Sequence, residues 1–286
     1  MALLTQYVLP FELVSILLLV GIVGAVGGRA DGARGRGRSR RGVGTAVDPV
    51  LRRKGTVKRI AALAITLLAC CTFSQCGALA RLFPEVDRLW GIPQPIQWHP
   101  EIDTGVHAMM VLDMSARVSG ETEVRFAALT HDLGKGTTPA DILPSHKGHE
   151  ERGVTLIHDL CERFRIPIRY RELAVIAARY HGLIHKVADL RPATIVDVLG
   201  GADAFRRPGR FEGLLRVCEA DFRGRETYQE RHYPQAVRWR AYLAAVGGID
   251  IGAIARATAE RGRIPERVRE ARVQAVRAIQ EETATA

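Results

Sequence analysis

The chain has 286 residues, 47% hydrophobic and 25% charged, a globular composition that excludes wholesale disorder and a collagen-like repeat. Five cysteines, with no close spacing beyond the adjacent Cys70 and Cys71, exclude a disulfide-dense scaffold and a CxxC zinc site. The net charge of +10 invites a nucleic-acid or membrane-surface reading, but it is concentrated: residues 29–59 carry +9 and residues 60–286 only +2.

In chain order, residues 7–28 form an apolar run with one acid, Glu12. A spanning helix needs about 20 apolar residues, and Pro10 and Glu12 weaken this one. A signal peptide fits poorly, because the positive charge follows the apolar run. A membrane helix at 1–28 and a buried segment therefore stand as alternatives. A span would keep the following arginines, and the domain behind them, in the cytoplasm. Residues 29–59 are basic, and their Gly-Arg alternation over 32–44 cannot bury enough apolar surface to fold. No aromatic residue interleaves the basic ones to stack on bases, which favours a disordered, solvated linker over an RNA or anionic-lipid contact. Residues 60–71 are apolar but too short to span, and open a helical lead-in over 60–100.

Beyond that the periodicity is helical. Val154, Ile157, Leu160, Cys161 and Phe164 share one helix face. Leu173, Ile176, Ala177 and Tyr180 repeat the pattern, as do Phe211, Leu214, Leu215, Cys218 and Phe222. A charged helix opens at Ile264-Pro265. The expectation is an all-α fold of roughly seven to ten helices, with prolines 93, 95, 139, 144, 167, 192 and 208 in the loops. The chemistry-bearing domain is expected at 101–230, followed by C-terminal helices at 231–286.

All nine histidines lie between His99 and His232. His131 and Asp132 are adjacent, in Leu129-Thr-His-Asp-Leu-Gly-Lys-Gly136. On a continuing helix their side chains would point about 100° apart. Both reach one ion if the helix ends there, and Gly134 is the expected stop. Imidazole with carboxylate suits a divalent transition metal such as Ni, Mn, Co, Zn or Fe. His158-Asp159 is a control: it sits mid-helix and reads as a solvated face. Around the first pair stand His107, His146, His149, His181 and Asp221. Taken singly, His107 could equally be a core histidine, and Asp221 a helix-end carboxylate paired with Arg223 or Arg225. In order they give His, His-Asp, His, His and Asp on separate helices, the pattern of an HD-superfamily metal phosphohydrolase, whose ligands converge in a helical bundle. On that reading His107, His131, Asp132 and Asp221 hold the metal. His149 and His181 hold a second metal or contact phosphate. His131, Asp132 and Lys135 carry the catalysis, with Lys135 a point cation for the phosphate.

The segments Cys76-Gly-Ala-Leu79, Leu82-Phe-Pro-Glu-Val-Asp87, Trp98-His-Pro-Glu-Ile-Asp-Thr-Gly-Val-His107, Val124-Arg-Phe-Ala-Ala-Leu-Thr-His-Asp-Leu-Gly-Lys-Gly136 and Glu219-Ala-Asp-Phe-Arg-Gly-Arg225 closely resemble bacterial CCA-adding tRNA nucleotidyltransferases of the multifunctional kind. The resemblance runs from residue 76 to near the C-terminus. It implies an all-α HD-domain helical bundle with 2′,3′-cyclic phosphodiesterase, 2′-nucleotidase and phosphatase activities, and tRNA or RNA 3′ ends and nucleotides as partners. The family's His-Asp pair falls on His131-Asp132, its earlier histidine on His107 and its later aspartate on Asp221. No counterpart of the family's nucleotidyltransferase head precedes residue 72, so nucleotide addition is not expected of this chain. A competing reading is a non-catalytic tRNA-binding remnant or a fused or truncated fragment, with Arg206, Arg207, Arg210, Arg223 and Arg225 meeting RNA phosphates. Membrane contact through residues 7–28 and a homodimer complete the expected associations.

Overall fold

A computed structural model describes residues 77–285. The apolar run, the Gly-Arg linker and the apolar segment at 60–71 lie outside the described residues. Within them the chain is helical, and its one β-type pairing is an isolated bridge between Pro93 and Asp103. No helix among the described residues is long and apolar enough to cross a membrane.

Two short helices, α1 (Ala78–Leu82) and α2 (Pro84–Asp87), lead into α3 (Thr104–Val118) and α4 (Thr122–Thr130). Two 3₁₀ turns, Leu133–Thr137 and Ala140–Ile142, then precede α5 (His149–Arg163) and α6 (Ile168–His185). After them come α7 (Pro192–Gly201), α8 (Pro208–Arg223), α9 (Pro234–Gly247), α10 (Ile251–Ala257) and α11 (Ile264–Thr285).

Helix α4 is the centre of the bundle. Val124, Phe126, Ala127 and Ala128 are fully buried and Leu129 nearly so, because neighbouring helices cover the helix on several sides. Helices α3, α6 and α8 pack around it, and α5 lies against α6. Burying a side chain such as Phe126 contributes about 1.5–3 kcal/mol. A second layer of α7, α9 and α11 joins at the far end, tied in by the fully buried Trp239, whose indole N–H donates to the Ile184 carbonyl at 3.0 Å.

The apolar stripes read from the sequence face the core. Val154, Ile157, Leu160 and Cys161 on α5 are buried, as are Leu173, Ile176 and Ala177 on α6 and Phe211, Leu214, Leu215 and Cys218 on α8. Two of the prolines expected in loops, Pro192 and Pro208, instead stand at the first position of α7 and α8, where a missing N–H costs nothing.

The start of α3 is fixed from two sides. Asp103 caps it by accepting from the Val106 amide at 2.9 Å, and its other oxygen accepts from the Gly91 amide at 2.6 Å. The Thr104 hydroxyl donates to the Ile92 carbonyl at 2.9 Å. This clamp sets the helix turn that carries His107.

Candidate metal centre

His107 on α3, His131 and Asp132 just past α4, His149 at the first position of α5, His181 on α6 and Asp221 on α8 converge at the middle of the bundle. His107 and His131 are fully buried, and Asp132 and Asp221 nearly so. The donor atoms form two neighbouring sets, His107–His131–Asp221 and Asp132–His149–His181, each with its atoms within 4.8 Å of one another.

The adjacent pair can share one centre because α4 ends at Thr130. His131 still has helical angles (φ −59, ψ −30), whereas Asp132 (φ −109, ψ 11) has left the helix. His131 Nε2 and Asp132 Oδ2 thereby come within 3.2 Å. Gly134 is not the helix stop. It sits inside the Leu133–Thr137 turn, and a Cβ there would overlap the backbone of His149 and Gly153. Its bare backbone is what lets the start of α5, and so His149, approach the His-Asp pair.

The imidazoles share a tautomer. Nδ1 of His131 donates to the Ala128 carbonyl at 2.7 Å, Nδ1 of His149 to the His146 carbonyl at 2.8 Å, and Nδ1 of His181 to the carbonyls of Ala177 and Ala178, each at 3.0 Å. A carbonyl can only accept, so each ring keeps its proton on Nδ1 and, when neutral, presents a bare Nε2. Those bare atoms point at one another or at carboxylates. His149 Nε2 lies 3.2 Å from His181 Nε2, and Asp132 Oδ1 lies 3.4 Å and 3.5 Å from the two. His131 Nε2 and Asp132 Oδ1 are buried without a hydrogen bond. Acceptors gathered this way repel unless a cation sits among them, so the donor set fits a divalent metal.

The electrostatics agree. Burial opposes ionisation of Asp132, but the charges of His131 and Lys135 hold its carboxyl well below the usual carboxylate range. Burial works against Asp221 too, and is outweighed by His185, Arg225 and His107. Burial also disfavours charge on His131, yet Asp132 and Asp221 raise it above its ordinary value, the mark of a position that attracts positive charge. Burial pushes His181 down to about 3, against partial opposition from Asp132, so its Nε2 is free to ligate at neutral pH.

Lys135 is held in place by Asp132 Oδ2 at 2.7 Å and by Gln94 Oε1 at 2.6 Å. Four residues not singled out in the sequence, Glu101, His99, His185 and Tyr233, belong to the same assembly. Glu101 Oε1 lies 2.7 Å from His107 Nδ1 and 3.0 Å from His99 Nδ1. His185 Nε2 donates to Asp221 Oδ2 at 2.6 Å, with the Tyr233 hydroxyl 2.9 Å from its Nδ1. The signal for His185 was present: His181 and His185 are an i,i+4 pair on α6. Glu101 lay inside a segment quoted for its family resemblance, with nothing local to mark it. His146 bridges Thr138 Oγ1 and the Pro93 carbonyl at 2.8 and 3.0 Å and supports the wall of the site. His158 and Asp159 are exposed on α5, as the control pair should be. Val106, next to His107 on α3, is 41% exposed.

The five arginines separate. Arg225 lies 3.6 Å from Asp221 and lines the cleft above the centre. Arg206 pairs with Asp203 at 2.6 Å, Arg207 with Glu172 at 2.7 Å, and Arg210 with both, at 3.2 Å each. Arg223 pairs with Glu219 at 2.8 Å. The cleft has a volume of about 1220 Å³, and Asp132, His149, His181 and Asp221 form part of its lining.

Comparison with known proteins agrees with this geometry. Residues 104–204 match the family described as HD domain. The multifunctional CCA protein of Thioalkalivibrio sulfidiphilus is 64% identical over 166 residues, 58% of this chain and 41% of that protein. The multifunctional CCA protein of Cupriavidus necator is 53% identical over 205 residues, 71% of this chain and 50% of that protein. The one from Burkholderia cenocepacia is 54% identical over 202 residues, 70% of this chain and 49% of that protein. The chain thus spans about half the length, or less, of these curated relatives. No solved structure matches it.

Proposed function

Because residues 104–204 are an HD domain, the fold of a metal-dependent hydrolase superfamily, we propose that this chain is a phosphohydrolase acting on 2′,3′-cyclic and 2′-phosphate ends of nucleotides or RNA. One observation carries the reading: the bare Nε2 atoms of His149 and His181, 3.2 Å apart, together with the unbonded Nε2 of His131 and Oδ1 of Asp132. The proposed ligands are His107, His131, Asp132 and Asp221, with His149 and His181 holding a second ion or the phosphate. The donor set suits Ni, Mn, Co, Zn or Fe. A bound ion would polarise a phosphoryl oxygen and lower the pKa of a bound water towards about 7.

The protein's own groups do the rest. Lys135, anchored by Gln94 and Asp132, presents a fixed cation to the phosphate without swinging in from solvent. Arg225 at the cleft wall offers a second. The depressed carboxyls of Asp132 and Asp221 stay ionised throughout the neutral range and keep the site negative enough to retain a dication. The resemblance to CCA-adding tRNA nucleotidyltransferases supports a substrate at the tRNA 3′ end. The extent 101–230 for the catalytic unit, with 231–286 as appended helices, belongs to this proposal. Arg206, Arg207, Arg210 and Arg223 would add phosphate contacts outside the cleft.

The test is elemental analysis of the purified full-length chain and turnover of a 2′,3′-cyclic nucleotide after reconstitution with each metal. The wild type is expected to retain a divalent ion and to turn over. His131→Ala should lose both, by about 100-fold or more. Equal turnover in the two proteins would rule this site out.

A further inference from the structure

The cleft of about 1220 Å³ over the candidate centre is far larger than a phosphate group needs. Its outer wall is the loop 93–103. There Ile96 and Trp98 line the cleft while remaining 64% and 63% exposed, the two most exposed large apolar side chains among the described residues.

This loop is held rigidly. The Gln94 amide donates to the Ile102 carbonyl at 2.7 Å, and the Ile102 amide to the His99 carbonyl at 2.9 Å. The amides of Trp98 and His99 both donate to the Pro95 carbonyl, at 3.1 and 3.0 Å. Ile102 has φ 61, a left-handed conformation that a β-branched residue rarely adopts unless its surroundings impose it. The result is a loop with two working sides. On the buried side His99 and Glu101 reach His107, and on the open side Trp98 and Ile96 offer an apolar surface to the cleft. Lys135 and Arg225 contribute positive charge to the same cleft.

We propose that Trp98, with Ile96 beside it, is a stacking platform for the nucleobase of the nucleotide whose phosphate enters the metal centre. The inference rests on the phosphohydrolase reading for the position of the phosphate. A tryptophan face accepts any base, because every base has a π-face, so the site selects nucleotides over simple sugar phosphates without selecting among bases. A free nucleotide and the last nucleotide of an RNA present the same chemistry to it.

The test is equilibrium binding to the full-length chain with EDTA present, so that no turnover intervenes. Wild type should bind adenosine 2′-monophosphate about tenfold tighter than ribose 5-phosphate. Trp98→Ala should abolish that preference and leave both the melting temperature and ribose 5-phosphate binding unchanged, while Trp98→Phe should keep most of it. A short RNA ending in a 2′-phosphate assigns the source, tighter binding than the mononucleotide pointing to RNA ends and equal binding to free nucleotides. The platform is overturned by equal affinity of wild type for the two small probes, by binding of neither, or by a preference that survives in Trp98→Ala. Elemental analysis of the same proteins separates the two ideas: a metal-free wild type with intact base preference sinks the phosphohydrolase reading and leaves the platform standing.

Discussion

Backbone carbonyls orient the imidazoles of His131, His149 and His181, but His107 depends on a carboxylate, Glu101, 2.7 Å from its Nδ1. Burial opposes charge on Glu101, and the His107 and His99 rings against its carboxylate overcome it, holding the acid ionised well below the usual carboxylate range. An ionised acceptor on Nδ1 keeps Nε2 directed at Asp221, 3.0 Å away, and makes the ring a stronger ligand. Glu101→Gln should therefore weaken metal affinity about 10–100-fold with little change in melting temperature. Competition against a chelator of known affinity measures this, and an unchanged constant would remove Glu101 from the site's support. The His131-Asp132 pair was legible in the sequence because its residues are contiguous and followed by Gly-Lys. His185 was signalled only by its i,i+4 spacing from His181, and Glu101 was not legible at all, because it acts across the bundle on a partner from another element and spacing along the chain does not encode that contact.

At the scale of elements, periodicity exposed the buried stripes of α5, α6 and α8, since a core-facing stripe must repeat every 3.6 residues. It said less about segment 131–148, where the chain runs through 3₁₀ turns and loop and the side chains follow no fixed repeat. Gly134 illustrates the difference. A glycine soon after an apolar helix reads as its terminator, but here its role is to admit another helix. Gly134→Ala would drive a Cβ into the backbone of His149 and Gly153, which cannot swing aside as a side-chain tip can. The expected cost is about 1–3 kcal/mol, seen as a lower denaturant midpoint, with a parallel loss of metal binding because His149 moves with α5. A midpoint equal to wild type would show that α5 yields freely, contrary to this packing.

Over the whole molecule, the buried histidines make stability depend on pH. Burial pushes His99 from 6.5 to about 4 and His181 from 6.5 to about 3, so both are neutral in the metal-free fold at pH 7. Unfolding returns them to the ordinary value. The unfolded chain then binds more protons between pH 6.5 and 4, and stability falls as pH drops through that window. His131 is raised instead, so its contribution is complete below its unfolded value and is lost as pH rises through its folded one; it opposes the acid slope only above its unfolded value of 6.5. Each unit of difference is worth about 1.4 kcal/mol per group. Denaturant midpoints of the metal-free chain should be lower at pH 5 than at pH 7, and His99→Gln should flatten the slope. A midpoint constant between the two would contradict the buried neutral state.

The 3.0 Å contact between His107 Nε2 and Asp221 Oδ1 joins positions 114 residues apart, and Asp221 lies beyond the stretch 104–204 that the HD family match covers. On the proposed ligand set, this dictates an order of assembly. A nascent chain that has emerged only as far as α7 already holds His107, His131, Asp132, His149 and His181, yet one wall of the cage is still to be made. A loop of that length must close, and α8 must dock, before the two ends of the set meet. An ion encountered earlier finds partial sets that hold it weakly. On that set, metal capture would be the closing step of folding, and an occupied cage would act as a latch on α8 after the bundle has formed.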